Sequence, residues 1–323
     1  MVSKILLIKS KIKKFDAEIQ VSGDKSLSIR WILLASQAIG SSKGYNLLMS
    51  EDVLAALDSI KRLGIKVRIH KRYCEVFGNG INGFKYKKNL TINARNSGTV
   101  ARLILGLLIK SPQKIKLIGD KSLSKRDFSR VTQPLGRFGA KFSYKIKNKL
   151  PLSILGSQSI KGIKYLENKG SAQCKSSVML AALHASGTTS IKAKKSRNHS
   201  ELLFQYLKIP TKIKKTKKYD FINIESPKKI KAFNYQIPGD ISSGAFFIVL
   251  TILTNDSSLL IKNVNINPSR TGVITILKKM GAKILMKNQK YYRGEKVSDI
   301  FIKSSNNLKA INCPPELNSS ARD

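Results

Sequence analysis

The chain has 323 residues and a formal net charge of +41, from 60 lysines and arginines against 19 acidic residues. This length is sufficient for two domains of ordinary size, each with its own core. No apolar run approaches the ~20 residues of a membrane-spanning helix, so the sequence predicts no membrane partner.

The N-terminal segment, MVSKILLIKSKIKKFDAEIQ, alternates apolar and basic residues. It lacks the continuous apolar centre and small-residue cleavage site of a signal peptide, so we read it as a strand and expect a cytoplasmic protein. Three cysteines, Cys74, Cys174 and Cys313, are scattered without C-x-x-C spacing, which disfavours a disulfide framework or a zinc site. With only three histidines in the chain, no metal site is predicted.

The high positive charge would normally suggest nucleic acid or another polyanion as a partner. The lysines, however, are spread along the whole chain, in KIKK, KYKK, KKTKK and SPKKIK. Aromatic residues make up 7% and are not interleaved with arginines as on a surface that stacks single-stranded bases. The sequence predicts no specific nucleic-acid partner, and a non-catalytic, salt-sensitive polyanion-binding protein is kept as an alternative function.

A helix that ends in glycine and is followed by a strand recurs along the chain. The pattern is KRLGIKVRI around Gly64, GRFGAKFSY around Gly139 and KKMGAKILM around Gly281. The glycine suits a left-handed helix C-cap, and the alternating residues after it suit a strand. QYLKIPTKIK shows the same pattern with Pro210 where glycine is expected. We infer four αβ units of roughly 70 residues each.

The first predicted helix opens at VSGDKSLSIR and places Lys25, Ser26 and Arg30 at its start. Ser26 and Arg30 are four residues apart, on one face of the helix. Free N–H groups of the first turn add partial positive charge, so the segment can seat a phosphate or carboxylate. An ordinary N-cap with solvated charges explains this stretch equally well. GDKS at 119–122 and GDIS at 239–242 repeat the same turn before a serine.

Further helix starts carry the same kinds of side chain. Asn96, Ser97, Gly98 and Thr99 open one apolar helix, and Gly98 allows a ligand close to the backbone. Three other stretches have a similar composition. Arg126 and Arg130 follow a turn, and Ser171, Ala172 and Gln173 come shortly before Lys175. In the third stretch, Arg197 and His199 precede Ser200 and Glu201. Together they suggest several helix N-termini that face an anionic ligand.

These stretches resemble the 5-enolpyruvylshikimate-3-phosphate synthase family of enolpyruvyl transferases. The matching segments, in the family's order across nearly the whole chain, are SGDKSLSIR, NSGTVARLILGLL, GDKSLSKRDFSRVTQPLGRFGA, GSAQCKSSVMLAAL, SRNHSELL, IPGDISSGAFFIVLTIL and NPSRTGVITILKKMGA. A related transferase that acts on UDP-N-acetylglucosamine fits less well, because Cys174 lies in the wrong motif for the reactive cysteine of that enzyme. It stays an alternative that a substrate-swap assay separates.

The resemblance implies an inside-out α/β barrel of repeated βαβαββ units in two domains. The first domain would be residues 21–236, with three repeats. Residues 1–20 plus 237–323 would form a partial second domain with about one repeat of three, to which residues 1–20 contribute a strand. The expected protein is a monomer.

The resemblance also implies a reaction and the residues that serve it. The 5-hydroxyl of shikimate 3-phosphate adds to phosphoenolpyruvate, and phosphate then leaves, as a step toward chorismate and the aromatic amino acids. No metal or organic cofactor is required. Shikimate 3-phosphate would be held by Lys25, Ser26, Arg30, Ser171, Ala172, Gln173, Arg197 and Asp323. Phosphoenolpyruvate would be held by Lys25, Gly98, Arg126 and Gln173, and the catalytic residues would be Asp323 as base and Lys25.

The chain departs from the family pattern after LKAINCPPELNSSARD. The terminal Asp323 falls where the family has its aspartate, although Arg322 stands where an apolar residue usually precedes it. About two further repeats of the family pattern do not follow. We therefore keep an inactive fragment of the enzyme as a further alternative, which a fully active, compact 323-residue chain would exclude.

Overall fold

The structure, a computed structural model, describes residue 7 and residues 10–321. Contacts divide it into two units. The large unit consists of Ser22–Pro238 and the short turn Tyr292–Glu295. The small unit consists of Gly239–Tyr291 with the described parts of Met1–Val21 and Lys296–Asp323.

The helices of the described residues are short to medium in length. None of them has both the length and the apolar character needed to cross a bilayer. In chain order they are α1 (Lys25–Gln37), α2 (Glu51–Arg62), α3 (Gly98–Leu107), α4 (Lys121–Ser124), α5 (Ser129–Arg137), α6 (Ala172–Ala182), α7 (His199–Tyr206), α8 (Ile241–Leu253), α9 (Gly272–Lys279) and α10 (Asn318–Ala321).

The strands alternate with these helices along the chain. They are β1 (Asp16–Ile19), β2 (Ala38–Tyr45), β3 (Lys66–Ile69), β4 (Tyr73–Asn79), β5 (Thr91–Asn93), β6 (Ile115–Ile118), β7 (Lys141–Tyr144), β8 (Leu152–Leu155), β9 (Lys164–Glu167), β10 (Thr188–Lys194), β11 (Thr211–Lys215), β12 (Tyr219–Glu225), β13 (Ile230–Lys231), β14 (Tyr235–Gln236), β15 (Ser258–Asn265), β16 (Lys283–Tyr292) and β17 (Glu295–Lys303).

Three sheets of the large unit repeat one strand order. They are β13-β2-β4-β3, with β14 also paired to β2, then β5-β6-β8-β7 and β9-β10-β12-β11. In each sheet the first pair is parallel and the remaining pairs are antiparallel. The second and third sheets each come from a continuous βαβαββ segment, which confirms the predicted repeat.

Helices lie inside the large unit and sheets outside. The helices α1, α3 and α6 are apolar and buried at nearly every position after their first turn, as expected for helices surrounded by other elements. Strands such as β10 and β12 alternate buried and exposed residues, so one face of each is covered and the other is solvated. The α/β class and the inside position of the helices are confirmed.

The small unit contains one sheet of the same order, β1-β15-β17-β16. Its N-terminal strand β1 pairs in parallel with β15, Asp16 opposite Ser258. The helix α8 packs on this sheet through Ile248 and Ile252 but leaves Phe246 80% exposed. By contrast, α1 of the large unit is buried almost all round.

The recurring Gly-Asp turns place their aspartate, rather than the serine, at the helix start. Asp24 accepts a hydrogen bond of 2.9 Å from the Leu27 backbone N–H at the start of α1. Asp120 caps α4 and Asp240 caps α8 in the same way. A carboxylate at this position satisfies an otherwise unpaired N–H group and favours the partial positive charge of the helix N-terminus.

The four helix ends predicted from the repeats share one C-cap geometry. Gly64, Gly139 and Gly281 have φ values of 85°, 99° and 100°, as the left-handed cap requires. The prediction that Pro210 takes the fourth glycine position is wrong. Lys208, two residues earlier, has φ 55°, and the next residue donates its backbone N–H to the Phe204 carbonyl at 2.9 Å.

We expect Lys208→Gly to raise the free energy of unfolding by about 0.5–1 kcal/mol, because glycine adopts the left-handed conformation without steric cost. Urea denaturation followed by circular dichroism measures the change. The matched control is Lys212→Gly in β11, where an extended backbone gives glycine no advantage and stability should fall. Equal loss of stability in both variants would contradict the assigned cap.

Candidate anion-binding site

The N-termini of α1, α3 and α6 lie together in the large unit. The Gln173 side-chain N–H donates to Thr99 Oγ1 at 2.9 Å, which joins the first turns of α6 and α3. Arg30, in the second turn of α1, donates from Nη2 to Ser176 Oγ in the second turn of α6 at 3.0 Å. Each of these contacts joins residues that lie the same number of turns from the start of their helices. The N-termini of α1, α3 and α6 are therefore directed toward the same region of the large unit.

Each of these helices begins with a capping side chain. The cap of α1 is Asp24; Ser97 Oγ accepts from the Val100 N–H at 3.3 Å, and Ser171 Oγ accepts from the Cys174 N–H at 3.3 Å. A side-chain cap satisfies only some of the free N–H groups of a helix start. The remaining N–H groups and the helix dipoles favour an anion at this end of the unit.

Arg30 is the buried cation of the site, with 4% exposure. Its guanidinium donates to Ser200 Oγ at 2.9 Å and to the Ser26 carbonyl at 3.0 Å, in addition to Ser176. Burial lowers the pKa of Arg30 to about 10, and the carboxylates of Glu201 and Asp24 oppose that shift. Arg30 is therefore charged at neutral pH, in a setting of reduced dielectric where its attraction to an anion is strong.

Three further predicted residues lie around Arg30. Lys25 is half-exposed in the first turn of α1, 3.8 Å from the Asp52 carboxylate. Ser26 contributes its carbonyl to the Arg30 guanidinium. Arg197 is near enough for its charge to lower the pKa of Arg30. Lys25, Arg30 and Arg197 give this end of the unit three cations from two different parts of the chain.

The Ser171-Ala172-Gln173 stretch starts α6 as predicted. The Ser171 backbone N–H donates to Glu167 at 2.9 Å, so the entry to the helix is held by a buried carboxylate. Gln173 accepts from Arg102 Nη1 at 2.8 Å, while its own N–H reaches Thr99. The amide of Gln173 is thus fixed in one orientation between α6 and α3.

Gly98 and Arg126 also come together. A Cβ atom added at Gly98 would lie 2.9 Å from Arg126 Nη1 and 2.7 Å from Arg102 Nη1. Arg126 is exposed, whereas Arg102 is partly buried over the Phe128 ring. A side chain at this position would displace one or both guanidinium groups, so glycine lets both of them approach the start of α3. Burial also lowers the pKa of Arg102, with a further contribution from the nearby Arg126 charge.

The sequence analysis missed Arg102. The spacing held a signal, because Arg102 is one helical turn after Gly98 and donates to the Gly98 carbonyl at 3.2 Å. From the sequence alone, a single arginine in an apolar helix is easily interpreted as a side chain whose guanidinium extends into solvent. Only the packing of α3 against α6 shows that it bonds Gln173.

Two buried acid–base pairs lie behind the site, and the sequence did not reveal them either. Lys175 Nζ is 2.5 Å from Glu201 Oε1, and His199 Nδ1 is 2.7 Å from Glu295 Oε1. All four side chains are buried. Glu201 follows Ser200 directly, so the Lys175–Glu201 pair supports the part of α7 that hydrogen-bonds Arg30.

The structure thus gathers Lys25, Ser26, Arg30, Gly98, Arg126, Ser171, Ala172, Gln173 and Arg197 at helix starts or adjoining turns of the large unit. Asp323, the predicted base, lies outside the described residues. Among the described residues no group of three or more His, Cys, Asp or Glu side chains could hold a metal ion.

The fold is a repeat-built α/β fold, and its large unit brings several cationic side chains together with the N-termini of three helices. The family model for EPSP synthase (3-phosphoshikimate 1-carboxyvinyltransferase) matches residues 9–314. The chain belongs to this family of shikimate-pathway enzymes, as the sequence predicted.

Curated relatives and a solved structure agree. The 3-phosphoshikimate 1-carboxyvinyltransferase of Petrotoga mobilis is 38% identical over 94% of this chain and 70% of its own length. That of Bacillus subtilis is 35% identical over the same shares. The EPSP synthase structure from Acinetobacter baumannii matches with a TM-score of 0.85 and 35% identity, over 95% of this chain and 68% of that one. These matches give no support to a polyanion-binding protein or a nucleotide-sugar transferase.

Proposed function

We propose that this chain transfers the enolpyruvyl group of phosphoenolpyruvate to the 5-hydroxyl of shikimate 3-phosphate and releases phosphate. We further propose that it acts in the cytoplasm as a monomer, with residues 21–236 as the first domain and residues 1–20 plus 237–323 as a partial second domain. The observation that carries the substrate assignment is the cluster of cations and helix N-termini around the buried Arg30.

In this proposal Arg30, Lys25 and Arg197 all contact shikimate 3-phosphate, and Arg197 contacts its phosphate. A phosphate dianion needs several donors and compensating charge, and arginine offers it two parallel N–H groups. Ser26 and the Ser171-Ala172-Gln173 turn would hold the rest of this substrate. Their hydroxyl, backbone and amide groups suit the ring hydroxyls of a shikimate ester.

Phosphoenolpyruvate would lie at the start of α3. Gly98 has no side chain to keep Arg126 away from the start of α3, and Arg126 offers an exposed guanidinium there. Lys25 and Gln173 would reach both substrates. Because both substrates are polyanions that repel each other, a site with this many cations lowers the cost of bringing them together.

The chemistry requires one addition and one elimination. The substrate oxygen bonds to C2 of phosphoenolpyruvate as its methylene carbon gains a proton; a proton and phosphate then leave, which restores the double bond. Lys25 and the helix N-termini would stabilise negative charge that grows on the departing phosphate. Asp323 remains the predicted base for the hydroxyl, and no metal or organic cofactor is predicted for these steps.

We expect calorimetric titration to show saturable binding of shikimate 3-phosphate that neither shikimate nor inorganic phosphate matches at equal ionic strength. Arg126→Ala should weaken phosphoenolpyruvate binding, measured with shikimate 3-phosphate present, about tenfold, since one charge-assisted contact is lost. Its effect on shikimate 3-phosphate alone should be within about twofold.

The control is Arg72→Ala, which removes an exposed arginine from a turn of the same unit and should change neither affinity. Turnover is followed by phosphate release. If shikimate 3-phosphate bound no better than inorganic phosphate, the proposed substrate would be wrong. If Arg126→Ala weakened both ligands equally, the division of the site into two halves would be wrong.

A further inference from the structure

The Arg30 guanidinium makes several hydrogen bonds to other groups of the protein. A guanidinium has five N–H donors in one plane. Three are used within the protein, by Nε to Ser200 Oγ, Nη1 to the Ser26 carbonyl and Nη2 to Ser176 Oγ. Two N–H groups remain, one on each terminal nitrogen, which is the arrangement required for two parallel bonds to one anion.

The two serines form a closed triangle with the guanidinium. Ser176 Oγ and Ser200 Oγ are 2.7 Å apart and hydrogen-bonded to each other, and both residues are buried. They come from different helices, α6 and α7, while Arg30 comes from α1. The plane of the guanidinium is therefore fixed by three helices at once, so the side chain cannot rotate about its long axis without breaking two hydrogen bonds.

The charge pair behind the triangle supports the same geometry. Glu201 follows Ser200 in α7 and lies 2.5 Å from Lys175, which precedes Ser176 in α6. The Lys175–Glu201 pair thus ties together the two helix segments that carry the serines. Glu201 also favours the charged form of Arg30.

We propose that Ser176 and Ser200 are positioning residues that hold the Arg30 guanidinium as a preformed, two-pronged receptor for an anionic group of the substrate, its phosphate or its carboxylate. The inference rests on the proposed function of Arg30. Fixing a flexible arginine before the ligand arrives removes the entropy cost of ordering it during binding, and so increases affinity without any contact between the serines and the ligand.

The test compares the affinity for shikimate 3-phosphate in single and combined variants, by calorimetry. Ser200→Ala and Ser176→Ala should each weaken binding about 5–20-fold, since each frees one side of the guanidinium. Ser200→Thr keeps the hydroxyl and should restore affinity to within about threefold of the unchanged protein. Phosphoenolpyruvate binding, measured with saturating shikimate 3-phosphate, should change little in all three.

The decisive arm repeats the serine substitutions in an Arg30→Lys background. A lysine has a single terminal nitrogen, so it cannot hydrogen-bond both serines and also present two parallel N–H groups to an anion. The serine substitutions should therefore have almost no further effect there. Equal weakening in both backgrounds would show that the serines act independently of Arg30 and would overturn the inference.

Failure of the inference and failure of the proposed function give different results. If Arg30→Lys weakens binding but neither serine substitution does, the positioning role is wrong and the anion site at Arg30 stands. If Arg30→Lys leaves the affinity unchanged, the anion site at Arg30 is itself wrong. Thermal melting identifies any variant that fails to fold; if Ser176→Ala does, the Ser200 variants alone decide.

Discussion

Glu201→Gln should lower the free energy of unfolding by about 3–5 kcal/mol, the range observed when one partner of a buried ion pair is removed. Lys175 and Glu201 are both buried, with 2.5 Å between Nζ and Oε1. The substitution leaves the ammonium group of Lys175 in the interior without its counter-charge. It also removes the carboxylate that most favours the charged form of Arg30. Urea denaturation of both proteins measures the loss.

Two further variants make this result specific. Asp58→Asn breaks a half-exposed ion pair with Arg95 in the same unit and should change stability by no more than about 1 kcal/mol. The double variant Lys175→Met with Glu201→Leu removes both charges and should recover most of the stability lost in Glu201→Gln. A small loss for Glu201→Gln, similar to that of Asp58→Asn, would show that water reaches the pair.

The distribution of acidic residues explains how so basic a chain keeps a well-ordered interior. Several of its few carboxylates are buried: Asp24, Glu167, Glu201, Asp240 and Glu295. Each caps a helix start or pairs with a cation or a polar hydrogen. The excess of lysine falls mainly on exposed strand and turn positions, where charge changes stability little. The excess positive charge is thus carried mainly by the surface.

The repeat and the helix starts were predictable because their signals are local. A left-handed cap favours glycine, and an N-cap favours serine or aspartate, so Gly64 and Ser97 mark boundaries that neighbouring residues confirm. Lys208 carries no such signal, because lysine is not a residue type that a left-handed cap favours. The sequence analysis therefore assigned the cap position to Pro210, two residues after Lys208.

The candidate site was predictable only in part for a related reason. Side chains at helix starts can be read from the sequence, but partners supplied by another repeat cannot. Arg102 bonds Gln173 across 71 positions, and His199 bonds Glu295 across 96. Each contact joins segments that are far apart in the sequence, and no periodicity within one repeat encodes such a partner.

Arg30→Met should weaken shikimate 3-phosphate binding by at least about 100-fold, because it removes a buried cation and the two N–H groups of its guanidinium that we propose bind an anionic group of the substrate. Arg30→Lys keeps a positive charge but loses the planar fork, so it should weaken binding by about 20–50-fold, less than Arg30→Met and at least as much as either serine substitution. The difference separates the contribution of charge from that of geometry. Calorimetric titration of each variant gives both values.

Ionic strength provides an independent check on this separation. Arg30 is 4% exposed, so its attraction to an anion is screened less by salt than that of the half-exposed Lys25. Lys25→Met should therefore remove most of the salt dependence of binding and a smaller part of the affinity, whereas Arg30→Met should do the reverse. If both substitutions changed the salt dependence equally, the anionic group would lie in the solvent-exposed part of the site, away from the Arg30 guanidinium.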